Sequence, residues 1–240
     1  MMSKKSLILI GLVFISGISL AINIEVSVKE KIDADIIRIN ENGEKSLKIF
    51  ETEVYNTGSV PFEAWLRLEA DGKSFFSPKK ELYPGEREVF KIVAFFEEPG
   101  LYNSTLTLFY GFSVFQKNFT FEVENVSLDE QVDVLGYRIY QDTMVFDLIS
   151  NVTTKAYVIP YSISPIFISL PKKIDLEEGK TSTFKIDYSL QVFHPFKLNL
   201  AIVDESGNIL GLKEFWIEKR ETGLNGLIHL LLDLIKLLTL

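Results

Sequence analysis

Cysteine is absent from the 240 residues, which excludes disulfide staples, thiolate metal sites and a cysteine nucleophile. Histidine occurs only as His194 and His229, so a metal centre built from several imidazoles is excluded too. Cations are outnumbered: 25 Lys and Arg against 33 Asp and Glu give a formal net charge of −8. Binding nucleic acid through a broadly basic surface is therefore disfavoured, because neutralising phosphates needs clustered cations; no nucleic-acid partner is expected. The sequence carries no P-loop, GxGxxG, GxSxG, HExxH or EF-hand pattern, the spacings by which common catalytic and ligand-binding sites announce themselves. His194 has no serine, cysteine or acid motif beside it, and reads as a turn histidine rather than a base. The expectation is a protein that is not an enzyme and holds no cofactor or metal. With 47% hydrophobic and 24% charged residues, the composition is that of a folded globular chain.

Both ends are unlike the middle. Lys4 and Lys5 precede an uncharged run over residues 6–24, and Ser19-Leu20-Ala21 offers a small-x-small cleavage site. This predicts a secretory signal peptide over 1–21. The same run, about 28 Å long as a helix, also suits an uncleaved membrane anchor. Either way the rest of the chain is expected outside the cytoplasm, with the two lysines left inside. Residues 224–240 are leucine-rich, broken by Asn225, His229, Asp233 and Lys236. At about 100° per residue these four fall within one narrow arc of a helix. An amphipathic, mostly apolar helix over 221–240 is expected, lying on a membrane or meeting a protein partner along its polar stripe.

Between the ends, short apolar runs alternate with turn signals such as Asn42-Gly43, Asp71-Gly72, Pro84-Gly85 and Ser206-Gly207-Asn208. The runs have period two: Ala64, Leu66, Leu68 and Ala70 alternate with Glu63, Trp65, Arg67 and Glu69, and Phe184 and Ile186 with Thr183, Lys185 and Asp187. That pattern marks strands with one buried and one wet face, and many of them at short spacing predict antiparallel sandwiches. The pattern also recurs. Leu82, Gly85, Phe90 and Ile92 match Leu176, Gly179, Phe184 and Ile186 at an offset of 94; Leu106 and Leu108 match Leu198 and Leu200 at 92; Asn56 matches Asn151 at 95. Small drift with retained order is the signature of a repeated unit. The boundary falls in the polar stretch 124–130, giving one sandwich over 22–124 and a second over 125–220.

The run Glu53-Val54-Tyr55-Asn56-Thr57-Gly58-Ser59-Val60-Pro61 resembles the N-x-G corner of CARDB-like and NEW3-like domains. Leu82-Tyr83-Pro84-Gly85-Glu86 resembles their L-x-P-G-E turn, and Pro99-Gly100-Leu101-Tyr102 their P-G-x-Y lead into a late strand. The likeness is best over residues 48–124 and weak in the second unit, where Glu177-Glu178-Gly179 stands in place of Pro-Gly. The resemblance implies an all-β chain of two tandem immunoglobulin-like sandwiches of the kind found on bacterial and archaeal surfaces. It implies a non-catalytic spacer, adhesion module or binding accessory.

Four N-x-Ser/Thr triplets begin at Asn103, Asn118, Asn125 and Asn151, candidate N-glycosylation acceptors if the chain meets the machinery. Period two sets Asn118 and Thr120 opposite Phe119 and Phe121. The pairs Phe75-Phe76, Phe95-Phe96 and Phe109-Tyr110 are expected to send one ring inward and one to the surface, where the outer rings offer a site for a glycan. The function expected is that of an exported, membrane-associated surface protein in adhesion, spacing or envelope assembly. The alternatives are an accessory subunit of a membrane complex docked through its C-terminal helix, and a carbohydrate-binding module.

Overall fold

The computed structural model describes residues 30–140, 143–161, 170–187 and 196–217. The leader or anchor expected over 1–21, the helix expected over 221–240 with Asn225, His229, Asp233 and Lys236, and His194 all lie outside these residues.

The described residues are all-β. The first half holds β1 (Ala34–Asn42), β2 (Leu47–Asn56), β3 (Phe62–Ala70), β4 (Lys73–Phe76), β5 (Lys80–Leu82), β6 (Arg87–Phe95), β7 (Gly100–Tyr110) and β8 (Ser113–Val123). One sheet runs β1-β2-β6; the other runs β4-β3-β7-β8, with β5 also pairing β3. The second half holds β9 (Ser127–Leu128), β10 (Val132–Tyr140), β11 (Thr143–Ser150), β12 (Thr154–Tyr161), β13 (Lys172–Leu176), β14 (Thr181–Asp187), β15 (Phe196–Asp204) and β16 (Asn208–Ile217). Its sheets run β10-β11-β14 and β13-β12-β15-β16-β9. All the ladders are antiparallel except the short β16–β9 pairing. That pairing knits the polar stretch after β8 into the second half, helped by the Asp129 and Gln131 N–H groups donating to the carbonyls of Ile209 and Leu210.

Alternation along each strand decides what is buried. In β3, Ala64, Leu66, Leu68 and Ala70 are buried while Glu63 is exposed. The two sheets of the first half meet where Phe50 of β2 stands edge-on to Phe119 and Phe121 of β8, with ring centroids 5.6 and 5.1 Å apart. In the second half Phe146 of β11 meets Phe215 of β16 at 5.3 Å. Each half is thus sandwich-like, and each fully buried aromatic or aliphatic side chain contributes roughly 1.5–3 kcal/mol. The hairpin from β3 to β4 turns on Asp71 and Gly72, both at positive φ (52° and 68°), the two-residue geometry whose twist suits antiparallel neighbours.

Seven strands of each half match, with β4 and β9 standing outside the correspondence. β1-β2-β6 corresponds to β10-β11-β14, and β5-β3-β7-β8 to β13-β12-β15-β16. The matched positions Leu82/Leu176, Phe90/Phe184, Ile92/Ile186, Leu106/Leu198 and Leu108/Leu200 are all buried. β1 and β10 each carry a bulge, at Ile37 and Leu135. One match needs correction. The Gly85 N–H donates to the Asn56 carbonyl and the Gly179 N–H to the Ser150 carbonyl. Ser150, not Asn151, is therefore the counterpart of Asn56, and the offset of 94 holds here too. Asn56 is buried, with its amide donating to Val60 and Leu82 carbonyls (3.0 and 3.1 Å) and accepting from Gly58 (2.9 Å). Ser150 makes a smaller corner, donating to the Val152 carbonyl at 2.7 Å.

The two halves share one core. Ile159, Ala201, Val203 and Ile209 are buried in the same apolar cluster as Leu47 and Phe95, with Tyr157, Tyr161 and Leu212 packed against it. The other face of the same sheet sends Ala156, Val158, Leu198, Leu200 and Ile202 into the second half's own core. At the seam the Phe95 and Tyr161 rings lie 4.8 Å apart. Lys73 stands over both and pairs with Glu97 at 2.7 Å. The β15–β16 turn closes the seam. Gly207, at φ +77°, accepts from Ser46 N–H and Oγ, and Asn208 accepts from the Lys45 ammonium.

Candidate interaction surfaces

The four sequon asparagines are exposed. Asn103 lies on β7 opposite Thr120, and Asn118 on β8 opposite Thr105, so each asparagine faces the hydroxyl residue of the other triplet. Thr105 Oγ1 donates to Asn118 Oδ1 at 2.9 Å. Asn125 follows β8, and Asn151 sits in the β11–β12 turn with its N–H on the Gln131 carbonyl at 2.8 Å.

Beside Asn125 is an open cavity of about 580 Å³ lined by Glu41, Gly43, Glu44, Lys45, Lys48, Glu122, Glu124 and Asn125. Lys48, nearly buried, pairs with Glu41 at 2.8 Å. Carboxylates and ammonium groups are mixed here, and no nucleophile or imidazole joins them. Among the described residues no three His, Cys, Asp or Glu side chains converge as a metal site would require.

The expectation of one inward and one outward ring per aromatic pair is corrected. Phe75 and Phe76 are both buried, as are Phe95 and Phe96, and Tyr110 is buried beside half-buried Phe109. The reason is that both sheet faces are covered. Phe76 lies under Trp65 at 6.0 Å on the outer face, and Phe95 is covered by Tyr161. Trp65 also stacks on Phe109, centroids 3.9 Å apart and nearly parallel, with the Arg67 guanidinium 5.3 Å over Phe109. These rings spend their faces on one another, whereas sugar stacking needs a free face.

Exposed apolar side chains are spread over both halves, many of them on edge strands. In the first half they include Ile37 on β1, Val89 on β6, Phe112 in the β7–β8 turn, and Val114 and Phe115 on β8, with Ile32, Tyr83 and Leu101 elsewhere. Among the described residues β8, eleven residues long, pairs only with β7 and stands at the edge of its sheet. In the second half they are Leu128 on β9, Leu135 and Tyr137 on β10, and Trp216 on β16. The Tyr137 hydroxyl donates to the Trp216 carbonyl at 3.1 Å.

Titration shifts are mostly local. Burial, then the Glu97 and Glu214 carboxylates, push the Tyr161 phenol far above its ordinary range. Burial raises Tyr102 and Tyr110 too. The hydrogen bond from exposed Lys31 lowers Asp33, and that from Lys173 lowers Glu205. None of these groups lines the cavity beside Asn125. Sequence reasoning had no signal for the seam residues Lys73, Glu97 and Tyr161, which lie on three different elements.

The sequence matches no protein-family model and no curated protein. Among solved structures, red sea bream transglutaminase aligns over 80% of this chain and 31% of its own, at 10% identity and a TM-score of 0.26. This chain therefore spans less than a third of that enzyme. The YadV chaperone aligns over 75% of this chain and 99% of its own, at 7% identity and 0.26. A protein of unknown function from Porphyromonas gingivalis W83 aligns over 77% and 97%, at 10% and 0.28. Scores this low carry no functional inference.

Proposed function

We propose that this chain is an exported, membrane-associated surface protein that works without catalysis. Its two immunoglobulin-like sandwiches, of the CARDB-like and NEW3-like kind, would serve adhesion, spacing or envelope assembly outside the cytoplasm. The observation that carries the reading is the seam. One sheet of the second half is buried on both faces, so the two units form a stiff strut rather than beads on a flexible linker. Stiffness is what a spacer needs, and the uncharged N-terminal run and leucine-rich C-terminal segment supply attachment to a membrane.

Protease added to intact cells tests this. The described residues should be cut without lysis; a chain that is degraded only after lysis would overturn the reading. Intact mass of the native protein reports cleavage after Ala21 and any glycan on Asn103, Asn118, Asn125 or Asn151 in the same measurement.

A second reading, a subunit docked into a membrane complex, draws on the polar stripe of Asn225, His229, Asp233 and Lys236. Truncation after Arg220 should then abolish co-purification of partner membrane proteins. The carbohydrate-binding reading has less behind it, because Trp65, Phe76 and Phe109 stack on each other.

A further inference from the structure

We propose that Lys45 and Asn208 join in an isopeptide bond, a covalent cross-link between the two halves. The proposal stands whether or not the chain is exported. The two residues are 163 positions apart in the chain, yet Lys45 Nζ meets the Asn208 side-chain oxygen. The same amide is gripped from its other side. Asp204 Oδ2 accepts from Asn208 Nδ2 at 2.8 Å, and Asp204 Oδ1 accepts from the Asn208 backbone N–H at 2.7 Å. The asparagine is therefore oriented, with its carbonyl toward the amine and its amide nitrogen on a carboxylate. The backbone on both sides is held as well, because the Ser46 N–H and hydroxyl donate to the Gly207 carbonyl. Lys45, Asp204 and Asn208 are each half-buried, at the rim of the shared core that holds Leu47, Val203 and Ile209.

The backbone singles out this contact. Lys45 has φ +49°, and among the described residues only Asp71, in its Asp-Gly turn, shares a positive φ without being glycine. A lysine is an unusual occupant of that conformation, and backbone strain of this kind concentrates where a side chain must be aimed. The residue types complete the chemistry: an amine as nucleophile, a carboxamide as acyl group, and a carboxylate to carry the proton. Contact fixed by the fold replaces a chance encounter with a high effective concentration. The neutral Lys45 amine attacks Cγ of Asn208, and the Nζ–Cγ bond forms. The proton shed by Nζ passes through the Asp204 carboxylate to Nδ2. The Cγ–Nδ2 bond then breaks and ammonia leaves, so Asp204 ends as it began. No oxidant is needed. With no cysteine in the chain, a disulfide cannot close the seam, whereas an amide can.

Mass spectrometry of the unmodified full-length chain, denatured after purification, tests this without any variant. The intact chain should be lighter than its sequence by one ammonia. Trypsin cleaves after a free lysine, so it should leave the Lys45–Ser46 bond whole and release residues 39–48 joined to residues 198–213. Full mass, with the two peptides separate, overturns the proposal. So does a joined pair that links any other residues. Lys45→Arg and Asn208→Ala should each restore the full mass. An ammonia loss that persists in Lys45→Arg, as a succinimide at Asn42-Gly43 would, also overturns it. Asp204→Asn still offers an acceptor to the Asn208 N–H but cannot carry the proton, and should stay at full mass; closure at the parent's rate would refute the step as written.

Discussion

Replacing Gly207 by alanine strikes the seam between the two halves. At φ +77° an L side chain carries left-handed strain of roughly 1–2 kcal/mol. The added Cβ would also stand 1.9 Å from the Glu44 carbonyl oxygen. That atom is backbone, so the 43–46 loop must retreat. Ser46 is fully buried, and its N–H and hydroxyl both donate to the Gly207 carbonyl. Losing those bonds costs about 1 kcal/mol each. The expected destabilisation is about 3–5 kcal/mol. Gly72→Ala is the control: it shares a positive φ of 68° but meets nothing within 4 Å, so it should cost the strain alone, roughly 1–2 kcal/mol. Urea unfolding measures both. Hydrogen exchange locates the loss, which should appear at Ser46, Phe96 and residues 201–203 in Gly207→Ala only. Equal midpoints for the two variants, or unchanged protection across the seam, would refute the reasoning.

Three further outcomes are expected. Asn56→Ala removes three hydrogen bonds of a buried side chain and should cost about 2–4 kcal/mol in chemical denaturation, against about 1–2 for Ser150→Ala at the smaller corner. Phe50→Ala, which empties the contact with Phe119 and Phe121, should cost about 3–5 kcal/mol in the same assay. Tyr161 is held neutral in the fold, first by burial and then by Glu97 and Glu214. Its folded pKa is above the unfolded value near 10, so its contribution is complete below about pH 10 and is lost as pH rises beyond it. Stability measured from about pH 9 to 12 should fall less steeply in Tyr161→Phe than in the parent; parallel curves would remove Tyr161 from the alkaline response.

Much of each unit was legible because alternation is a local signal. The Leu66 and Phe184 faces, the Asp71-Gly72 turn and the 94-residue offset all follow from neighbours a few positions apart. What escaped depends on distant covering. Phe76 and Phe95 were expected to split from their neighbours, yet both are buried, because Trp65 and Tyr161 come from elsewhere to cover them. A clue was present in the unbroken apolar run Leu200-Ala201-Ile202-Val203, which suits a strand covered on both sides. The Asn56 counterpart was misplaced by one residue because Asn151 shares its side chain, whereas Ser150 shares its hydrogen bonds. The candidate site was less legible still. Trp216 and Leu135 read as ordinary strand residues in the sequence, and their exposure follows from the surrounding fold.

The common core has a consequence for anyone who would divide the molecule. A fragment started after residue 124 would leave Ile159, Ala201, Val203 and Ile209 bare to water, and should stick to itself or to whatever is nearby. Cutting at the apparent midpoint would not release two independent parts. For the same reason a tug on one of the two halves cannot be absorbed by swivelling at a slack joint; it is handed on, through packed side chains, to the other half.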